Sequence, residues 1–110
     1  MRSLLVALPA LVALLFAGCG AETSATPVED LWTEHCAGCH AVDGSGVPAR
    51  RGLEPRLDLH RSAMLGAEGS PGLVFQRIAY GYNTMPGFAH KLPRGDIERL
   101  AKFTAELVAR

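Results

Sequence analysis

Apolar residues are arranged in three ways along the chain, and each arrangement predicts a different kind of segment. After Arg2 comes LLVALPALVALLFA, an apolar run interrupted only by Pro9 and closed by small Ala17 and Gly18. A charged start, a short apolar stretch and a small-residue end predict a signal peptide over residues 1–18. The run is too short to read as a membrane span. In the last segment, Ile97, Leu100, Ala101, Thr104, Leu107 and Val108 share one stripe at helical spacing, with Arg94, Glu98, Lys102 and Glu106 elsewhere, which predicts an amphipathic helix over 94–109. Two further helices carry end signals. Thr26, Pro27 and Glu29 predict a capped start for a helix that turns Leu31 and Trp32 inward and runs into Cys36. Ser70 and Pro71 open another through Leu73, Val74, Phe75, Ile78 and Ala79, with Gly81 just past its end.

Between these, residues 43–69 and 82–93 are rich in Gly, Pro and Arg or in turn residues and keep neither period, so both predict loop. No stretch alternates apolar and polar residues as a strand would. The expected fold is all-α: three main helices joined by long loops in a domain spanning residues 27–110. Residues 19–26, small and polar after Cys19, predict a flexible tether ahead of it.

Removal of the leader leaves roughly 92 residues, a marginal length for a core built from side chains alone, and a loop as long as 43–69 needs something to pack on. Charge adds little. Eleven basic and eleven acidic side chains balance over the full chain, which suggests no nucleic-acid partner. The distribution is dipolar: residues 22–43 carry five acids and no Lys or Arg, whereas Arg50, Arg51, Arg56 and Arg61 lie close together.

The chemistry is concentrated in CAGCH, Cys36 to His40, in a chain with three cysteines. Two thiols separated by two residues can form a redox disulfide, contribute half of a zinc site, or be consumed by an external group. A redox pair of the familiar kind sits in a βαβ pattern, and none is visible. Two cysteine pairs for zinc are ruled out by the count, and His40 with His60 or His90 keeps a poor four-ligand version open. Covalent haem uses every position: Cys36 and Cys39 add to the two vinyl groups, and His40 presents its imidazole to the iron. One haem c would also supply the apolar surface that the short chain lacks.

The sixth iron position decides between an electron carrier and a haem enzyme or gas sensor. Met64 reads as core filler. Met85, in the polar loop NTMPGF, is the better ligand, followed by Pro86 and preceded by Asn83, which has the chemistry to donate a hydrogen bond toward its sulfur. His90 and His60 are the alternatives, and an open site with His90 as acid/base would make a peroxidase-like enzyme. With both faces capped, one-electron exchange with redox protein partners is the expected function, and no enzymatic activity is expected.

Two resemblances follow from these residues. LFAGC resembles the lipobox of bacterial lipoproteins, which implies acylation of Cys19, a lipid anchor and a location on the periplasmic side of a bacterial membrane, or a soluble periplasmic one without the lipid. Trp32, CAGCH, the AVDGSG turn, Pro55 and Leu57, MPGF and the amphipathic last helix together resemble a small class I bacterial cytochrome c. That family pattern implies a Pro55 carbonyl that orients His40, and first and last helices crossing beside the haem with Trp32 near Leu100 and Phe103; a monomer is expected.

Overall fold

The structure, a computed structural model, describes residues 22–66 and 69–110. The leader over residues 1–18 and Cys19 lie outside the described residues. Five α-helices follow in chain order: α1 Val28–His35, α2 Ala37–His40, α3 Pro48–Arg51, α4 Pro71–Tyr80 and α5 Arg94–Val108. Single 3-10 turns at Pro55–Leu57 and Leu59–Arg61 interrupt the long connection after α3. Among the described residues there is no strand, only an isolated bridge between Tyr82 and Met85, so the all-α expectation holds. No described helix is long and apolar enough to cross a membrane.

The three long helices form the core because each has one apolar face. Leu31 and Trp32 of α1, Val74, Ile78 and Ala79 of α4, and Ile97, Leu100, Ala101, Phe103 and Leu107 of α5 are buried together with Phe88. α5 packs against both α1 and α4, and Leu100 at its centre is fully enclosed. Burial of an aliphatic side chain of this size is worth about 1.5–3 kcal/mol, so this stripe accounts for much of what holds the helices together.

The predicted ends of α4 are observed. The Ser70 hydroxyl accepts from the Leu73 amide at 3.3 Å, and Gly81 turns the chain with φ 74°. A side chain at Gly81 would run into the Met85 carbonyl and the Gly87 amide. This close approach lets the chain fold straight back, with Phe88 and Ala89 amides donating to the Ile78 and Ala79 carbonyls at 3.0 and 2.9 Å.

The predicted start of α1 is corrected. Pro27 is the cap rather than the first helical residue, and no side chain caps the helix. Thr26 is engaged elsewhere: its amide donates to the Ser24 hydroxyl at 3.3 Å and its carbonyl accepts from Arg99 Nη2 at 2.8 Å. The flexible tether is corrected for residues 22–26 on the same ground. The Gly95 amide donates to the Glu22 carbonyl at 2.6 Å, and Ser24 donates through its amide and its hydroxyl to the Asp96 carboxylate at 3.0 and 2.6 Å. Arg99 Nη2 lies 2.7 Å from the same carboxylate. Asp96 is fully buried, and a charge in that position persists only with such partners. The segment is a strap across the first turn of α5.

Candidate functional site

CAGCH occupies a bend between two helices. Cys36 closes α1, its amide donating to the Trp32 carbonyl at 2.9 Å, and α2 then carries Cys39 and His40 for one turn. Both thiols are free and partly exposed. Burial, and second the neighbouring Cys39, push the Cys36 thiol up to about 12, so it stays protonated at neutral pH and is a poor partner for thiolate redox chemistry. Arg50 Nη1 approaches Cys39 Sγ at 3.0 Å.

After His40 the chain reverses through AVDGSG, with Ala41, Gly44 and Gly46 all at positive φ. The Gly46 amide donates to the His40 carbonyl at 2.8 Å and the Val47 amide to the Cys39 carbonyl at 3.0 Å. Gly46 is pressed against backbone: a methyl group there would sit 3.1 Å from the Leu57 carbonyl carbon and 3.2 Å from the Asp58 nitrogen. This contact brings the Pro55–Leu57 turn to the imidazole.

His40 Nδ1 lies 2.9 Å from the Leu57 carbonyl oxygen. A carbonyl only accepts, so Nδ1 carries the proton and Nε2 keeps its lone pair, the form of the ring that ligates a metal. The orienting carbonyl expected at Pro55 is therefore corrected to Leu57. Pro55 opens the 3-10 turn, and its carbonyl accepts from the Asp58 amide at 3.2 Å. Pro48, the other proline in this stretch, opens α3.

Trp32 ties the pieces together from beneath. Its indole Nε1 donates to the Val42 carbonyl at 3.2 Å, and its ring lies 5.7 Å from that of Phe103 and 6.2 Å from that of His40. One buried side chain thus joins α1, the end of CAGCH and α5, in line with the expected Trp32–Phe103 packing.

Met85 is held by a two-residue reversal. Tyr82 and Met85 exchange backbone hydrogen bonds at 3.0 and 2.9 Å, and Asn83 takes the left-handed conformation, φ 51°. Asn tolerates that conformation better than most residues. Asn83 shapes the backbone here, and among the described residues no hydrogen bond joins its amide to the Met85 sulfur. Met85 and Leu57 line one cavity of about 500 Å³ together with Leu59, Met64, Arg56, Arg61, Arg77 and Tyr82.

The alternative nitrogen ligand His60 is turned away. Its Nε2 lies 2.9 Å from the Asp43 carbonyl oxygen, and it lines a separate groove with Trp32, Asp43, Leu107 and Arg110. Among the described residues no group of three or more His, Cys, Asp and Glu side chains is placed to hold a metal ion, so the zinc reading lacks ligands. The absence of strands beside CAGCH likewise removes the context of a dithiol redox motif. The residues present fit a haem: two partly exposed thiols, an imidazole with Nε2 as its acceptor, a thioether, and a cavity lined both by apolar Leu57, Leu59, Met64 and Met85 and by Arg56, Arg61 and Arg77.

The comparisons agree with this class. The fold and motif are those of a c-type cytochrome domain, and the chain belongs to the family described as cytochrome c oxidase, cbb3-type, subunit III, whose model matches residues 23–103. Among solved structures, the KustC0563 c-type cytochrome is similar in fold at a TM-score of 0.63 and 24% identity, over 74% of this chain and 98% of that one. No curated protein matches.

Proposed function

We propose that the protein is an exported one-electron carrier with a single haem c joined through Cys36 and Cys39 and ligated by His40 and Met85. The observation that carries this reading is the His40–Leu57 bond, because it fixes the ring in its ligating tautomer directly beside the two thiols. When bound, the haem supplies a reversible Fe(II)/Fe(III) couple whose potential is raised by a thioether ligand and by burial.

The chain's own residues do the rest. Trp32 and Leu57 hold His40 in orientation, the Tyr82–Met85 reversal holds the thioether at the cavity, and Leu57, Leu59 and Met64 exclude water. With His40 and Met85 both engaged, the bound group would offer no position for substrate, and the Leu57 and Tyr82–Met85 backbone bonds that hold these residues would keep reorganisation small. Arg50, beside Cys39 and exposed, is a steering charge for an acidic redox partner, an encounter that is small and short-lived by nature.

Acylation at Cys19 is part of the proposal. Only Gly20 and Ala21 separate Cys19 from Glu22, which is already bonded to Gly95. At about 3.3–3.6 Å per residue, a lipid there holds Glu22, and through it the first turn of α5 that it bonds, with Glu22 itself no more than about 11 Å from the anchoring residue. The domain is thereby kept at the membrane surface rather than ranging from it.

Absorption spectra of protein matured with haem test the reading. A six-coordinate low-spin spectrum in both oxidation states, turning high-spin or ligand-binding in Met85→Ala, is the expected result. A high-spin parent able to bind peroxide or carbon monoxide would replace the carrier with the enzyme or sensor reading.

A further inference from the structure

The ring of Tyr82 is half exposed, 52%, yet it is held by cations from two other parts of the chain. The Arg77 guanidinium, in the last turn of α4, lies 4.2 Å from its centroid, and the Arg56 guanidinium lies 5.9 Å from it. Arg56 belongs to the Pro55–Leu57 turn and is itself fixed by a two-pronged ion pair with Glu54 at 2.8 and 3.1 Å. Arg56, Arg77 and Tyr82 all line the cavity that Leu57 and Met85 share.

Each partner of this stack belongs to a segment with a separate job. Tyr82 is bonded to Met85 through both backbone groups, so the residue that carries the ring also holds the backbone of the residue that carries the thioether. Arg56 is adjacent to Leu57, whose carbonyl orients His40. Arg77 anchors the assembly to a core helix. No other contact among the described hydrogen bonds and ion pairs joins the Met85 reversal to the Pro55–Leu57 turn.

We infer that the Arg77–Tyr82–Arg56 stack is a latch that keeps Met85 on the iron by bracing the thioether's reversal to the turn that orients His40, making Tyr82 and Arg77 positioning residues for the sixth ligand. The inference rests on the Met85 ligation proposed above. A guanidinium over an exposed aromatic ring is a weak attraction, and two such contacts are expected to shift the open fraction of the Met85 site by about ten-fold.

The test titrates imidazole into the oxidised haem protein and follows displacement of the methionine ligand in the absorption spectrum. Tyr82→Ala is expected to tighten imidazole binding about ten-fold and Arg77→Gln about three-fold. Tyr82→Phe, which keeps the ring, and Arg77→Lys, which keeps the cation, are expected to stay within about two-fold of the parent. Unfolding midpoints of all four variants check that the fold is retained. If Met85→Ala opens the site but Tyr82→Ala binds imidazole no better than the parent, the latch is overturned and the ligand assignment stands. If Arg77→Gln acts and Tyr82→Ala does not, Arg77 works on the haem edge and the latch is again overturned. If the parent binds imidazole as readily as Met85→Ala, Met85 is not the ligand and the underlying reading falls first.

Discussion

His40 Nδ1 and the Leu57 carbonyl oxygen are 2.9 Å apart, joining the short helix that carries Cys39 to a 3-10 turn seventeen residues further on. A backbone acceptor has no side chain to delete, but its position depends on Gly46, which sits at φ 83° and 3.1 Å, by its absent Cβ, from the Leu57 carbonyl carbon. Gly46→Ala is therefore expected to cost about 1–3 kcal/mol of stability through a left-handed alanine and a displaced turn. It should also alter the low-spin spectrum, as a destabilising change elsewhere in the chain would not. Denaturant unfolding and spectra of the same preparation check both.

Trp32 donates to the Val42 carbonyl from within the core. Trp32→Phe keeps most of the apolar contact with Phe103 and leaves that carbonyl without its donor, an expected loss of about 1–2 kcal/mol. Trp32→Ala removes the packing as well, and about 3–5 kcal/mol is expected. A small difference between the two variants would mean the indole matters for its hydrogen bond alone.

Much of the fold was legible in the sequence because it depends on side-chain periodicity and end signals. The α5 stripe, the Ser70 cap and the Gly81 stop are local and appear where expected. The candidate site is legible in its chemistry: CAGCH and MPGF carry the thiols, imidazole and thioether proposed for it without any fold. What sequence reading missed is what backbone and long-range contacts decide. Leu57 acts through a carbonyl, which every residue has, so proline was the more conspicuous candidate. Nothing local distinguishes Asp96 in the first turn of α5, and its partner Ser24 is 72 positions away in a stretch that reads as linker. Thr26 had the composition of a helix cap, but its backbone is taken by Ser24 and Arg99, so the local signal lost to a tertiary one.

The strap makes a pH-dependent contribution of definite sign. Burial pushes the Asp96 carboxyl up, and hydrogen bonds from Ser24 and Arg99 outweigh it, so the group lies below its ordinary value of 3.8. A depressed folded-state value means that the contribution is whole above the ordinary value. It is lost as the pH falls through the folded one. Asp96→Asn is expected to be less stable than the parent by about 1–3 kcal/mol at pH 7. The gap should narrow as the pH drops below 3.8. Denaturant midpoints across this range check it, and a gap that stays constant would show that Asp96 acts without its charge.

The acylation proposed at Cys19 makes a cellular prediction. The parent is expected in the membrane fraction, and Cys19→Ser in the soluble periplasmic fraction with an unchanged haem spectrum, because Glu22 and Ser24 supply the strap's bonds to α5. Fractionation of haem-stained protein reads the outcome, and a membrane-bound Cys19→Ser would require another anchor.

The central claim is a haem held by two carbon–sulfur bonds, and mass spectrometry of the denatured protein tests it most directly. Protein matured with haem is expected to retain one porphyrin per chain after acid and organic denaturation, localised by proteolysis to the peptide containing Cys36 and Cys39. It should be lost when both are changed to serine. A polypeptide that sheds all porphyrin mass on denaturation, with both thiols free to alkylation, would contradict the account.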